Sequence, residues 1–339
     1  MIHSGSEADL IFLSHILRSG GLVAVPTETV YGLAAHALDA SACEAIFRAK
    51  GRPTHDPLIV HVADIAGATA LAHLNEVALR LAHRFWPGPL TFILPKKPIV
   101  PSIVTSGRDT VAIRVPAHPL LRALLARCKL PLAAPSANPF GYISPTTAAH
   151  VQANLGERIA HILDGGPCAI GLESTIVDVR DPKDAVILRP GGIPQADLAA
   201  ALGRPVRIHQ RMATPSPAEP KGELAPGMLD RHYSPRTPLV LRERAFSLEE
   251  LLTPSPKVAR VCFSQPPPGA AADVLHLTSE GSTEEAARRL FALLRWLDGG
   301  AFARIEMEPA PPTGLGPAIN DRLRRAACQS QQMPRPTPG

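Results

Sequence analysis

The sequence predicts a two-domain α/β protein, and three observations support this prediction. The chain has 339 residues, 45% of them hydrophobic and 19% charged, which is enough for two hydrophobic cores. Helical and strand patterns alternate up to about residue 207 and resume at residue 238. The stretch between them is rich in proline and lacks sustained periodicity. We therefore predict an N-terminal domain at 1–207, a linker at 208–237 and a C-terminal domain at 238–339.

The N-terminal domain is predicted to open with a helix and a buried strand. Leu10, Leu13 and Leu17 repeat at helical spacing up to Gly20, and the apolar run LVAVP follows. This order of elements is typical of an α/β unit.

A second helix is predicted to begin at a capping box formed by Ser41 and Glu44. It is predicted to end at Gly51, because glycine commonly follows the end of a helix. Apolar runs and helical periodicity predict the remaining elements of the domain. The predicted strands are 58–62, 90–94, 110–115, 130–134, 174–179 and 185–188, and the predicted helices are 75–85, 118–127 and 145–155. We expect the last helix to have Ser144 as its N-cap and Pro145 at its first position.

The C-terminal domain repeats the α/β pattern on a smaller scale. Its predicted strands are 238–241, 258–263, 273–277 and 304–308. A helix is predicted to open at a capping box of Ser282 with Glu285, and a last helix covers about 318–327. Because helices separate most of the strands, we expect a largely parallel, Rossmann-like sheet.

Composition narrows the function classes. No apolar run reaches the roughly 18–20 residues of a membrane span, and the N-terminus lacks the order of a signal peptide, so we expect a cytoplasmic protein. The five cysteines have no CxxC spacing, which argues against a disulfide framework and a zinc site. The net charge of +5 favours anionic ligands, without the dense basic blocks of a dedicated nucleic-acid binder.

Two cations stand out in the stretch KGRPTHDPLIVHV. Lys50 and Arg52 flank Gly51 just before a predicted strand. Positive charge at a helix C-terminus can simply complement the helix dipole, and this interpretation stays open for Lys50. Arg52, however, lies beyond the glycine in a loop stiffened by Pro53 and Pro57. An ammonium and a planar guanidinium beside a rigid turn are typical of a phosphate clamp.

Other candidate binding residues lie at or near predicted strand ends. A charged residue in a central strand must be paired or face a cleft, and for Arg114 we favour the cleft. Hydroxyls and amides at such positions also occur in ordinary turns, and a strand histidine is usually a core residue. The candidates are Thr29, His61, Arg114, Ser136, Asn138, Ser144, Ser174 and Arg189. This set suits a polyanion and an amino-acid-like ligand, without a protein nucleophile. The sequence has no GxxxxGK[ST], GxSxG or HExxH motif, and no GxGxxG motif after a predicted strand. The common NTPase, hydrolase, zinc-protease and dinucleotide-binding sites are therefore not indicated.

Several motifs occur in an order that resembles a known family. They are PTETVYGLAAHALD, KGRPTHDPLIVHV, VAIRVPAHP, PSAN, ESTIVD, LRPGGI and PGMLDRHYSP, followed by GLGPAINDRLRRAA at 314–327. The chain resembles, over nearly its whole length, the long two-domain form of the YrdC-type family of L-threonylcarbamoyladenylate synthases. The resemblance implies a twisted open α/β sheet of the YrdC-like, double-stranded-RNA-binding-like type in the first domain.

The resemblance also implies a reaction. L-threonine, bicarbonate and ATP would give threonylcarbamoyl-AMP and pyrophosphate, with Mg²⁺ on the phosphates. A partner, the tRNA threonylcarbamoyl transferase, would then modify an adenosine of tRNA, and weak binding of tRNA itself is compatible with this scheme. No membrane partner is implied.

The family's functional residues map onto matching positions of this chain. Lys50 and Arg52 would be catalytic and would hold the triphosphate. The implied threonine-binding residues are Thr29, His61, Arg114 and Ser174. The implied ATP-binding residues are Lys50, Arg52, Asp56, Thr110, Ser136, Asn138, Ser144, Arg189 and Tyr233, with Tyr233 acting as a lid. No protein residue is implied as a metal ligand.

Two positions depart from the family pattern. Asp56 stands where an asparagine is expected, which would weaken ATP binding unless the carboxylate helps to hold magnesium. Ala134 stands where a hydroxyl residue is common, which would remove one threonine contact. A non-catalytic RNA-binding module remains the alternative hypothesis. Another carbamoyl-adenylate chemistry, as in hydrogenase-maturation relatives, is disfavoured because the chain lacks acylphosphatase-like and zinc-finger segments.

Overall fold

A computed structural model describes residues 1–209 and 233–328, which divide into two compact units. Of the described residues, 1–140 and 144–209 form unit 1, and 141–143 and 233–328 form unit 2. The predicted linker falls mostly outside the described residues, so the predicted domain limits stay a prediction. None of the described helices combines the length and the apolarity that a membrane span needs.

Unit 1 is built on a mixed sheet of eleven strands. In chain order they are β1 Ile2–His3, β2 Val23–Val25, β3 Gly32–His36, β4 Ile59–His61, β5 Leu90–Pro95, β6 Thr110–Arg114, β7 Leu132–Ala133, β8 His161–Leu163, β9 Thr175–Asp178, β10 Val186–Arg189 and β11 Arg207–Ile208. The order across the sheet is β1-β8-β2-β3-β7-β4-β6-β5-β9-β10-β11. The α/β class is confirmed, although the sequence patterns did not predict β1, β3, β8 or β11.

The helices of unit 1 bury apolar faces on this sheet. They are α1 Glu7–Arg18, α2 Ala40–Lys50, α3 Ile65–Leu71, α4 Glu76–Phe85, α5 Ser102–Thr105, α6 Pro119–Cys128, α7 Ala148–Leu155 and α8 Gln195–Leu202. Leu13 and Leu17 of α1 are fully buried in one cluster with Leu121 and Leu124 of α6. Each such side chain contributes about 1.5–3 kcal/mol of burial free energy, which fixes the helices against the strands that carry the candidate site.

The predicted capping box of α2 is wrong. The N-cap is Asp39, whose carboxylate accepts hydrogen bonds from the backbone N–H groups of Ser41 and Ala42 at 2.9 and 3.2 Å. Asp39 is itself a strong N-cap, and it precedes the helix directly, so Ser41 lies inside the first turn. The predicted end is confirmed, because Gly51 caps the helix in the left-handed conformation with φ 62°.

The predicted start of the helix at 145–155 is also wrong. Helix α7 begins at Ala148, where the Thr147 hydroxyl accepts a hydrogen bond from the backbone N–H of His150 at 3.2 Å. The Ser144 hydroxyl instead donates to Glu173 Oε1 at 2.5 Å, and the Pro145 carbonyl accepts from the Tyr31 N–H at 2.9 Å. Tertiary contacts therefore hold the 144–145 segment outside the helix.

Unit 2 contains a smaller sheet. Its strands are β12 Leu239–Leu241, β13 Val258–Cys262, β14 Val274–His276 and β15 Arg304–Met307, and its helices are α9 Leu248–Leu252, α10 Thr283–Asp298 and α11 Gly316–Ala327. The order is β12-β15-β13-β14, and each neighbouring pair is parallel, as the sequence predicts. Ser282 caps α10 by accepting from the Glu285 N–H, but the Glu285 carboxylate accepts from the Thr278 hydroxyl instead of closing a capping box.

Candidate functional site

Lys50 joins two segments of the chain that the sequence separates by more than eighty residues. Its Nζ donates hydrogen bonds to the backbone carbonyls of Ser136 and Asn138, each at 2.5 Å, and its side chain is 2% exposed. The Phe140 N–H donates to the Lys50 carbonyl at 2.9 Å. Burial, reinforced by the charge of Arg52, holds the pKa of Lys50 well below its usual range. The structure thus brings Lys50, Ser136 and Asn138 together.

Arg52 is fixed by the loop that follows α2. Its Nε donates to the Asp56 carbonyl at 3.2 Å, and one terminal nitrogen donates to the Pro57 carbonyl at 2.7 Å. The same terminal nitrogen lies 3.0 Å from Asp56 Oδ2. Arg52 is therefore a buried cation that the loop presents in one orientation.

Asp56 is the buried anion beside these cations. Its side chain is 0% exposed, and within the described residues neither of its carboxylate oxygens accepts a hydrogen bond. Burial raises the pKa of Asp56, and the nearby cations Arg52 and Lys50 oppose that shift without reversing it. Asp56 therefore lies beside both candidate cations, Arg52 and Lys50.

Arg114 spreads its guanidinium over three partners. It donates to Thr29 Oγ1 at 2.9 Å and, through Nε, to the Gly88 carbonyl at 3.1 Å. Its other terminal nitrogen lies 2.6 Å from Glu28 Oε1. The sequence favoured a cleft for Arg114, and the structure shows the other alternative, a buried ion pair with Glu28.

Glu28 is a site residue that sequence reasoning missed. It is buried, and although burial raises its pKa, the charge and hydrogen bonding of Arg114 outweigh this and lower the pKa overall. The signal was present in PTETVYGL, because a lone carboxylate among apolar and hydroxyl residues after a buried strand requires a cation.

His61 lies beside Arg114 in the sheet. The two residues are aligned partners of the parallel strands β4 and β6. The ring is 3% exposed, and within residues 1–209 and 233–328 its Nδ1 has no hydrogen-bond partner. Burial, together with the charge of Arg114, lowers the pKa of His61 to about 3, so the ring is neutral at physiological pH.

This neutral histidine predicts a loss of stability in acid. Between the ordinary pKa of 6.5 and the lowered value of about 3, the unfolded chain binds a proton that the folded chain does not, so stability falls as the pH falls through this window. Between about pH 7 and about pH 4, the free energy of unfolding should fall by roughly 3 kcal/mol more in wild-type protein than in His61→Asn. Urea unfolding at both pH values measures it. The control His73→Asn, at an exposed position, should lose as much stability over this pH range as wild type. The same loss in His61→Asn would contradict the assignment of His61 as a buried neutral histidine.

Ser174 and Arg189 form a further contact group. One terminal nitrogen of Arg189 donates to the Ser174 carbonyl at 3.0 Å and to its hydroxyl at 3.2 Å. The Ser174 hydroxyl also lies 2.7 Å from Thr91 Oγ1. The neighbouring carboxylate, Glu173, accepts from the Ser144 hydroxyl and was not singled out from the sequence.

Two candidates remain, Thr110 and Tyr233. Thr110 is the first residue of β6, at the opposite end of that strand from Arg114. Tyr233 belongs to unit 2, where its buried ring stacks on Phe291 with centroids 5.7 Å apart, and the Arg322 guanidinium lies 5.1 Å from its ring centre.

The chemistry of unit 1 follows from its buried cations. Lys50, Arg52, Arg114 and Arg189 are each at most 7% exposed. Desolvated cations are costly unless anions and hydrogen bonds compensate them, so four in one unit favour an anionic ligand. Within the described part of the chain, no group of three or more His, Cys, Asp or Glu residues could hold a metal ion. The arrangement can orient phosphate and carboxylate groups and neutralise their charge.

Two family models match the chain. The model described as "Telomere recombination" matches residues 15–191. The model described as "Threonylcarbamoyl-AMP synthase, C-terminal domain" matches residues 193–328. Together they cover both units of the described structure.

Individual proteins match over nearly the full length. The chain is 41% identical to the threonylcarbamoyl-AMP synthase of Pyrococcus abyssi over 317 residues, 92% of each chain. It is 41% identical to that of Bacillus subtilis over 332 residues, 96% of this chain and 94% of the relative. The crystal structure of P. abyssi Sua5 complexed with L-threonine superposes with a TM-score of 0.85 at 39% identity, covering 97% of this chain and 96% of that chain.

Proposed function

Because the chain belongs to the threonylcarbamoyl-AMP synthase family, we propose that its buried cations serve one nucleotidyl-transfer site for ATP and L-threonine. The enzyme makes L-threonylcarbamoyl-AMP and pyrophosphate from L-threonine, bicarbonate and ATP, the first step of threonylcarbamoyladenosine modification of tRNA. The full-length identity to enzymes of this name carries the conclusion. The residue roles rest on the geometry of unit 1.

Lys50 and Arg52 hold the triphosphate in this proposal. An ammonium group has three N–H donors, and the carbonyls of Ser136 and Asn138 take two of them, so Lys50 keeps one donor for a phosphate oxygen. Two fixed acceptors also fix the direction of that third donor. Arg52 supplies a planar cation whose position the carbonyls of its own loop determine.

The other nucleotide contacts come from Ser136, Asn138, Ser144, Arg189, Asp56 and Thr110. The backbone carbonyls of Ser136 and Asn138 accept from Lys50 Nζ, which supports a position of both residues near the proposed phosphates. Tyr233 remains the proposed lid residue.

Arg114 binds the α-carboxylate of threonine in this proposal. Its guanidinium is oriented by Glu28, Thr29 and the Gly88 carbonyl, so it is held in place before the amino acid arrives. The Thr29 hydroxyl, the neutral His61 ring and the Ser174 hydroxyl complete the threonine pocket. A neutral histidine beside Arg114 avoids a second positive charge there.

The chemistry requires positioning more than covalent participation by the protein. Threonine carbamate attacks the α-phosphorus in line, pyrophosphate leaves, and the cations neutralise the charge that develops. The described carboxylates form no cluster that could cage a metal ion. We therefore propose that Mg²⁺ enters as the ATP complex, held by phosphate oxygens and water, where it would neutralise phosphate charge.

Several wider features also belong to the proposal. The eleven-stranded sheet is of the double-stranded-RNA-binding-like type, and the parallel sheet of unit 2 is Rossmann-like. The enzyme works in the cytoplasm, passes its unstable product to a tRNA threonylcarbamoyl transferase, and binds tRNA at most weakly.

The deciding experiment is pyrophosphate release from ATP, with threonine and bicarbonate each omitted in turn and the adenylate detected by mass. We expect release to require both co-substrates. Folded protein that releases no pyrophosphate under any condition would contradict the proposal. Tight tRNA binding that weakens steeply with salt and does not depend on ATP would then support the RNA-binding alternative.

A further inference from the structure

The ion pair of Asp56 with Arg52 is unusual because both members lie inside the proposed triphosphate site. Asp56 is 0% exposed and Arg52 is 7% exposed, and the pair distance is 3.0 Å. Arg52 has two carbonyl acceptors in its own loop as well, whereas neither oxygen of Asp56 accepts a hydrogen bond within the described residues. The carboxylate is thus desolvated and compensated by charge alone, which leaves it poorly stabilised as an anion.

The charged and titratable groups that act most strongly on Asp56 are Arg52, Lys50, His55 and Arg189. Lys50 ends α2, Arg52 and His55 share the loop with Asp56, and Arg189 ends β10. Three of these groups are the proposed nucleotide-binding cations. A triphosphate that reaches Lys50, Arg52 and Arg189 therefore brings its own negative charge next to the Asp56 carboxylate.

Two anions then compete for the same guanidinium. Like charges at close range disfavour ionisation, so the arrival of the phosphates favours the neutral form of the Asp56 carboxyl group. Asp56 is well suited to accept this proton, because burial already raises its pKa. Protonation removes the repulsion and frees the Arg52 terminal nitrogen for a phosphate oxygen.

We propose that Asp56 is the resident counter-ion of Arg52, that the triphosphate of ATP displaces it, and that the Asp56 carboxyl group takes up a proton from solvent as the nucleotide binds. Asp56 is thereby a positioning residue that couples ATP affinity to pH. The inference rests on the ATP site proposed above and is specific to the aspartate in this chain.

The test is calorimetric titration of the full-length protein with the Mg²⁺ complex of α,β-methylene-ATP, whose α–β linkage resists the cleavage that releases pyrophosphate. Titrations in two buffers of different ionisation enthalpy, from about pH 6 to about pH 8, give the number of protons taken up on binding. Asp56→Asn is the test variant. Protonation of the nucleotide contributes to both proteins and cancels in their difference. Because the charge of Asp56 also acts on the pKa of Lys50, the comparison is repeated in a Lys50→Met background, where only Asp56 differs.

We expect wild-type protein to take up more protons than Asp56→Asn, by up to about one per nucleotide. We also expect Asp56→Asn to bind the analogue about tenfold more tightly near pH 8, because no carboxylate then opposes the phosphates. The matched control is Asp178→Asn, which breaks the more exposed ion pair with Arg180 at the far end of β9 from Ser174. It should leave both quantities unchanged.

Several outcomes would overturn the proposal. Equal proton uptake and equal affinity in wild type and Asp56→Asn across the pH range would show that Asp56 does not titrate on binding. Weaker binding by Asp56→Asn with loss of its Mg²⁺ dependence would show that the carboxylate supports magnesium instead. No binding of the analogue by any of the folded proteins would contradict the ATP site itself, and with it this inference.

Thermal unfolding without nucleotide gives an independent readout. A carboxyl group whose pKa is raised in the folded protein stabilises the fold in acid, and that contribution is lost as the pH rises from its unfolded value of 3.8 through the raised value. The stability of Asp56→Asn minus that of wild type should therefore be larger near pH 8 than at low pH. A pH-independent difference would overturn the assignment of Asp56 as a strained buried anion.

Discussion

Replacing Lys50 with methionine is expected to lower the rate of pyrophosphate release by about 10²-fold, the loss typical when one fixed donor to a developing charge is removed. The structure gives the reason, because Lys50 is held by two carbonyls that direct its remaining donor. Arg52→Ala is expected to cost at least about tenfold by the same mechanism. Steady-state turnover with saturating threonine and bicarbonate measures both effects.

Loss of fold has to be separated from loss of catalysis in this experiment. Lys50→Met leaves the carbonyls of Ser136 and Asn138 without their donor, at a cost of about 1–3 kcal/mol. Turnover is therefore measured well below the unfolding temperature of each variant. Lys183→Met, at an exposed position, is the matched control and should retain full activity. Unchanged turnover in both Lys50→Met and Arg52→Ala would refute the triphosphate clamp.

The second large effect concerns threonine recognition. Arg114→Lys is expected to lower kcat/KM for threonine by about 10²-fold while leaving the KM for ATP nearly unchanged. A lysine keeps the charge opposite Glu28, but it cannot reproduce the planar fork that reaches Thr29 and the Gly88 carbonyl at once. Arg180→Lys changes the same residue type in an exposed pair and should have no effect. An equal loss for ATP and threonine would contradict a threonine-specific role.

The ion pair of Arg114 with Glu28 also leads to a prediction about the free energy of unfolding. Arg114→Met leaves a buried carboxylate without its cation, so we expect the free energy of unfolding to fall by about 3–5 kcal/mol. Adding Glu28→Gln should restore part of that loss, because the double variant no longer buries an uncompensated charge. Denaturant unfolding of the two single variants and the double variant measures this coupling, and additive losses would show that the pair is not coupled.

Local periodicity predicted several helices well and some strands poorly. The predicted helices at 75–85 and 118–127 correspond to α4 Glu76–Phe85 and α6 Pro119–Cys128, because an amphipathic face is encoded by neighbouring residues. Strand β3 was missed, since its residues GLAAH follow the turn-like PTETVY and include no β-branched or aromatic side chain. It forms a strand because it pairs with β2 on one side and with β7, about a hundred residues later, on the other.

The same division applies to the site. The sequence by itself determined the α/β class and the family, and it indicated candidate site residues, including Lys50, Arg52 and Arg114. Ordered motifs and a charged residue in a buried strand are visible along the chain. Only the tertiary structure decided that Glu28 pairs with Arg114 and that Asp56 lies fully buried against Arg52. Pairing and desolvation depend on distances between side chains and on the surrounding packing, which linear spacing does not encode. They set the charge balance of the proposed ATP and threonine site.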